Sequence, residues 1–563
     1  MTVAPETNCP DPGARSTTVV VGAVDDFAEG EMKMAKVGER RVAVIRTASG
    51  IHAIDNACPH QGYGLVTGAL DGELVTCQWH NWKFRVDTGE CVMGEEGVPC
   101  HAVKVENGQV WVTVIEPTPD EERERLWPSL QRGVESNYVG QVARDSIRLM
   151  ANDATPEAIA WVGFEHALPR EEWGPGHAMA TAVDCLALAV ERDGDERVLP
   201  LVQGLAGLAE LTRGRPARLR RDPQIGDLIA AVEREDHNAA MGIARYLAAE
   251  ADPAEVRELF IEAASMHHLS YGHGIIYTQK AFELLDLVGW DKADLILHEL
   301  ALATTWGTRE DTLPYMRKTV AEVAALDLAA LAAIPVDPEW DGPGLVDEML
   351  DIDRAPIAAA VAALEAGAGV ERLLDAVALA VSRRLLRYDL DIEFDVDESF
   401  GWLDITHGLT TARAARWAWR VYPSPATVRQ TLWAVWLCHD TSRGEQRHGI
   451  RPDPEIVGAE GDIADLIRRG DVEGVLAAIR AAGFDAGPSM IEASLADSAG
   501  SFIVTAHLIK LTKAAIEEAE ATGSDLPLLA AGRYLAAPRL ERFVSGAVNE
   551  SLAFVNTGRP PTR

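Results

Sequence analysis

Cys58-Pro-His-Gln-Gly62 and Cys77-Gln-Trp-His-Asn-Trp-Lys-Phe84 are the two stretches on which the reading of this chain turns. Each pairs a cysteine with a histidine two or three positions later, and sixteen residues separate the halves. The order C-x-H followed by C-x-x-H is not the spacing of a zinc finger. It suits a two-iron cluster divided between a thiolate-ligated and an imidazole-ligated iron, a donor set that raises the potential above an all-cysteine cluster. Cys58, His60, Cys77 and His80 are therefore expected to hold a [2Fe–2S] cluster that moves single electrons.

These two stretches closely resemble the Rieske ferredoxin family. In the respiratory branch of that family each loop carries a further cysteine, and the two form a disulfide. The corresponding places here are Tyr63 and Gln78 or Trp79, so the resemblance is to the lower-potential group that feeds oxygenases. Asn81 stands where relatives often have glycine.

At 563 residues the chain is too long for one core and implies two to four domains. A net charge of −35 is the wrong sign for nucleic acid. It fits a protein steering toward a basic redox partner. No run of eighteen apolar residues and no basic-then-apolar leader occur, so neither a membrane span nor a secretory signal is expected. Seven cysteines suit a reducing cytoplasm, with Cys9, Cys91, Cys100, Cys185 and Cys438 read as ordinary thiols. There is no G-x-G-x-x-G after a strand and no P-loop, which places nicotinamide or flavin on an external reductase or ferredoxin.

Residues 1–16, with three prolines, read as a loose tail. From 17 to 117 short alternating runs such as Val19–Val21, Arg41–Ile45 and Val110–Val114 read as strands. Asp71-Gly72, Thr88-Gly89 and Asn107-Gly108 read as turns. Pro117 and the charged run Asp120–Arg125 mark a boundary, 118–150 reads as linker and first helix, and 151–563 as an all-α domain. The expected fold is an all-β domain followed by a large helical one. The sheet-rich iron domain that usually accompanies such a cluster does not match this pattern.

The helical part repeats a short text: Gly176-His177, Gly272-His273, Thr406-His407 and Ala506-His507, each followed by a helical run with a threonine four or five residues on. A unit of about a hundred residues used four times is the expectation, its histidines facing a common axis. His177, His273, His407 and His507 are then candidate metal ligands. Lys510 follows His507 by three and shares its helix face. It belongs beside a cation only if it is neutralised by burial, drawn aside, or carbamylated into an oxygen ligand.

The scattered histidines, with Tyr271-Gly-His273 and His507-Ile-Leu-Lys510, resemble the questin-oxidase-like family of aromatic-ring-cleaving oxygenases over roughly residues 150–550. The resemblance implies a non-haem iron on His177, His273, His407, His507 and a carboxylated Lys510, and an aromatic substrate of the anthraquinone type. His268, His237 and His298, the last with Asp294 one turn before it, are further candidate ligands or orienting groups. His439 and His448 read as surface residues. The tryptophans Trp402, Trp417, Trp419, Trp433 and Trp436 read as core that suits a planar ligand.

The sequence thus predicts a cytoplasmic Rieske-fused non-haem iron oxygenase. It would take electrons from an external reductase and use O2 on an apolar substrate. The alternative is a redox sensor or electron carrier whose helical scaffold binds a partner and holds no second metal. A third reading, an ordinary Rieske oxygenase, requires a sheet in the C-terminal half.

Overall fold

The computed structural model describes residues 16–342, 344–395, 398, 400–496, 501–539 and 548. The expected tail, apart from Ser16, and Cys9 lie outside these residues. The chain divides into two compact units between Thr155 and Pro156.

In the first unit, β1 (Ser16–Ala23), β2 (Met32–Val37), β3 (Arg40–Thr47), β4 (Gly50–Asp55), β9 (Cys100–Glu106) and β10 (Gln109–Ile115) form an antiparallel sheet in the order β1-β10-β9-β4-β3-β2. A smaller antiparallel sheet joins β5 (Ala69–Asp71), β6 (Leu74–Thr76), β7 (Lys83–Arg85) and β8 (Cys91–Met93) in sequence order. The run Arg41–Ile45 explains how two cores share one strand. Successive side chains of a strand point to opposite faces. Val42 and Val44 enter a core with Phe27, Val110 and Val112, while Ala43 and Ile45 enter a second core with Leu65, Phe84 and both Cys58 and Cys77. The expected turn at Asn107-Gly108 links β9 to β10, with φ of 53° and 73° at the two residues.

The residues read as boundary and linker form two helices that group with the β unit: α1 (Pro119–Glu135) and α2 (Val139–Ala151). The charged run is the first turns of α1. Thr118 and Glu121 close a capping box, and Pro119 starts the helix. Gln141 of α2 donates to the Ser129 carbonyl of α1 at 2.8 Å.

The second unit is helical. Among the described residues no sheet occurs beyond Ile115, only isolated bridges such as Leu269–Arg309. That removes the reading that needed a C-terminal sheet. No helix among the described residues is long and apolar enough to cross a membrane. The four repeated histidines sit on four helices, α3 (His177–Val190), α4 (His273–Val288), α5 (Trp402–Val421) and α6 (Phe502–Thr522). They fall into two pairs. His177 and His273 open their helices, whereas His407 and His507 are each the sixth residue of theirs. The repeated threonines are internal to the helices: Thr181, Thr278 and Thr512 each bond back to the carbonyl four residues before.

Candidate metal centres

The first site lies on the loops after β4 and β6. Both loops close with the same hydrogen bond over five residues, Cys58 N–H to Tyr63 O and Cys77 N–H to Trp82 O, each 2.8 Å. Gly62 and Asn81 turn the chain with φ of 77° and 60°. Asn81 thus occupies a left-handed position, which explains why glycine suits it and why asparagine is tolerated. The two cysteines are buried, at 1% and 3% exposure, and Nδ1 of His60 lies 2.8 Å from Nδ1 of His80. Burial, with Cys77 and Cys91 alongside, pushes the Cys58 thiol up to about 12. Two buried sulfurs become thiolates only beside cationic metal. Converging thiols and imidazole nitrogens fit a two-iron cluster. The rings of Tyr63 and Trp79, one from each loop, meet at 5.2 Å.

His60 is the more covered histidine. Trp82 stacks on it at 4.9 Å and 14°, and burial, then His80 and Arg144, lower its proton affinity. His80 and Trp79 are exposed.

The second site brings together His177, His273 and His407, whose ring nitrogens all lie within 4.8 Å of one another, and His507 joins it through His407. Their Nε2 atoms are 3.2 Å apart between His273 and His177, 3.0 Å between His407 and His273, and 3.4 Å between His507 and His407. The opposite nitrogens are anchored. Nδ1 of His273 donates to Ser270 O at 2.5 Å, that of His407 to Leu403 O at 2.5 Å, and that of His507 to Ile503 O at 2.7 Å. Nδ1 of His177 meets the Tyr277 hydroxyl at 3.1 Å.

Backbone carbonyls only accept, so in His273, His407 and His507 the ring proton resides on Nδ1 and Nε2 presents a lone pair. Burial holds each ring neutral: it drives His177, His407 and His507 well below the usual range and His273 down to about 4. Bare lone pairs facing one another at 3.0 and 3.4 Å repel unless a cation lies between them.

Lys510 is buried, and its charge depresses the proton affinity of all four imidazoles. Burial, opposed by Asp184 and aided by Lys280, brings its own amine down to about 7.

A strained turn sets the position of His273. Ser270, Tyr271 and Gly272 are all left-handed, with φ of 46°, 58° and 85°. Ser270 and Thr308 are tied twice: the Ser270 amide donates to the Thr308 carbonyl and the Thr308 amide donates to Ser270 Oγ, each at 2.8 Å. Tyr271 places its ring 5.6 Å from that of His407 and its hydroxyl 2.7 Å from Asp440.

A cavity of about 890 Å³ opens beside these histidines. His177, His273 and Tyr277 line it, as do Trp173 and Trp306, which stack at 4.4 Å and are each about half exposed. Glu171 also lines it, almost fully buried, with Oε1 lacking a partner. Burial raises its carboxyl to about 8 against the amides of Gly176 and Met179. Burial thus favours its protonated form over the carboxylate.

The remaining candidates lie elsewhere. His298 is enclosed, its Nδ1 2.9 Å from Glu299 and its Nε2 accepting from the Arg221 amide at 3.1 Å. The expected partner Asp294 instead binds Arg245 and Arg220 at 2.6 and 2.7 Å. His237 packs on Trp306 at 5.6 Å, and Glu233, four residues before His237, bonds His267 instead. His268 is buried against Trp436 at 5.0 Å, with Glu310 at 3.6 Å. His439 is half-buried and reaches the Asp351 carbonyl, while His448 is exposed. Trp402, Trp433 and Trp436 are core, and Trp402 also lines the cavity. Tyr277, Glu171, Trp173 and Trp306 carry no mark in the sequence that sets them apart.

Residues 17–105 match the family model described as Rieske [2Fe-2S] domain. The ferredoxin component of the alkene monooxygenase system of Xanthobacter autotrophicus is 40% identical over 106 residues, 18% of this chain and 85% of that protein. The oxygenase component of 3-ketosteroid-9-alpha-monooxygenase from Rhodococcus rhodochrous is 30% identical over 112 residues, but these are 28% of its own length. The solved ferredoxin of carbazole 1,9a-dioxygenase from Nocardioides aromaticivorans IC177 aligns at 27% identity and TM-score 0.17, covering 17% of this chain and 96% of that one. The paired Cys–His loops and the first of these relatives agree, and over residues 17–105 this chain belongs to the Rieske [2Fe-2S] domain family.

Proposed function

We propose that the chain is a Rieske-fused non-haem iron oxygenase, its cluster held by Cys58, Cys77, His60 and His80 and its second iron by His177, His273, His407 and His507, with Lys510 as a further ligand. The observation that carries this reading is the convergence of anchored, neutral imidazoles whose lone pairs face one another at 3.0–3.4 Å. An iron in that position supplies one-electron chemistry toward O2. The protein's part is to hold the rings by their Nδ1 hydrogen bonds and to keep them deprotonated by burial. A neutral Lys510 amine offers a nitrogen donor, or an oxygen donor once it adds CO2 and releases a proton. The cavity receives an apolar, aromatic substrate between Trp173 and Trp306 at its mouth and the histidines at its floor, and Glu171 delivers or takes a proton there. Electrons come one at a time from an external reductase or ferredoxin, a reading supported by similarity to ferredoxin components of oxygenase systems. Fusing donor and acceptor in one chain keeps their effective concentration high.

Iron quantitation on the purified full chain tests the reading. More than two irons per chain are expected, falling to two in His407→Ala and His507→Ala with the cluster spectrum intact. Two irons in the wild type would instead mark an electron carrier or sensor with a helical scaffold.

A further inference from the structure

The family match ends at residue 105, yet α1 and α2 reach back to the cluster loops. Arg144 of α2 donates from Nη1 to the carbonyl of His60 at 2.9 Å and from Nη2 to Glu96 at 3.1 Å. Tyr138, just before α2, lays its ring 5.4 Å from that of His60. Glu96 also receives Arg125 of α1 at 2.6 Å and Arg148 of α2 at 3.2 Å. Glu122 on Arg125, at 2.5 Å, and Asp145, at 3.5 and 3.6 Å from Arg144 and Arg148, complete the group.

Among these charges Arg144 is the one bonded to a ligand residue, and its side chain is only 16% exposed, so solvent screens it weakly. Reduction adds an electron to the cluster, and a fixed cation beside it favours the more negative state. Net charge and hydrogen bonds around an iron–sulfur cluster set its potential.

We infer that Arg144 is a positioning residue for the cluster: it fixes the His60 loop, and its charge, partly offset by Glu96, raises the cluster's reduction potential. The inference stands on the N-terminal unit alone and does not depend on a second metal.

Redox titration of the full chain, followed by the EPR signal of the reduced cluster, tests it. Arg144→Gln is expected to lower the reduced-to-oxidised ratio at fixed ambient potential about fivefold, which at about 59 mV per decade is about 40 mV downward. Arg144→Lys, which keeps the charge, retains most of the wild-type potential. Glu96→Gln removes the opposing charge and is expected to shift the potential upward. This variant decides the matter even if Arg144→Gln loses its cluster. Equal shifts for Arg144→Gln and Arg144→Lys, or a Glu96→Gln potential at or below wild type, would overturn the inference.

Discussion

The hydroxyl of Tyr277 lies 3.1 Å from Nδ1 of His177, the one imidazole of the four whose second nitrogen meets a side chain rather than a backbone carbonyl. A side-chain partner can be removed without disturbing the fold, which makes this hydrogen bond the most accessible control on the helical site.

Tyr277→Phe keeps the ring against His273 and deletes the partner of His177. Loss of an orienting group typically costs about 10–100-fold in metal affinity. Competition against a graded chelator is expected to show a drop of about tenfold in iron affinity. An unchanged affinity would mean that His177 needs no anchor.

Gly272→Ala places a Cβ 2.1 Å from Thr411 Oγ1, at a φ of 85°. Left-handed strain adds about 1–2 kcal/mol for a residue with a side chain, and the clash pushes the turn away from α5. Urea unfolding is expected to show a loss of at least about 2 kcal/mol, together with lower iron content, because His273 follows directly. Full iron content would separate the turn from the site.

Glu171 gives stability a pH dependence of definite sign. Its carboxyl is held near 8 in the fold by burial, above the ordinary value of 4.5. The folded state therefore binds the proton more tightly than the unfolded chain. That stabilisation is complete below about pH 4.5 and is lost as pH rises toward 8. The stability difference between wild type and Glu171→Gln should fall across this window, by at most about 1.4 kcal/mol for each pH unit crossed. Denaturation of both proteins at about pH 5 and about pH 8.5 measures it; parallel pH profiles would contradict the assignment.

At Asn81, with φ of 60°, Asn81→Gly is expected to load the cluster normally. Asn81→Val forces a β-branched residue into the left-handed region, lowering thermal stability by about 1–2 kcal/mol and reducing cluster content. Visible absorption and thermal melts of the two variants distinguish the backbone effect from loss of the Asn81 contact to Met93.

The cluster loops are legible because their ligands are neighbours in sequence and their spacing is the chemistry. The pairwise approach of His177, His273, His407 and His507 is legible for a different reason: each stands in a similar short stretch, with a small residue or threonine before the histidine and a helix around or after it. What surrounds them is not. Tyr277 and Glu171 look like ordinary helix and loop residues, and only packing across a hundred residues brings Tyr277 to His177 and both to one cavity. Local pairing also misleads. Asp294 and His298 are one turn apart, but two arginines from distant segments claim the aspartate. The charged run Asp120–Arg125 reads as a linker because its net polarity outweighs the Thr-x-x-Glu cap that starts a helix.

The imidazole contacts close chain segments of 96, 134 and 100 residues. Joining the ends of a flexible segment that long costs about 4 kcal/mol in lost freedom. Any ion seated there would act as a rivet through almost the whole helical unit, tying together stretches made far apart during synthesis. Removing such an ion would then loosen the ensemble broadly rather than empty one pocket.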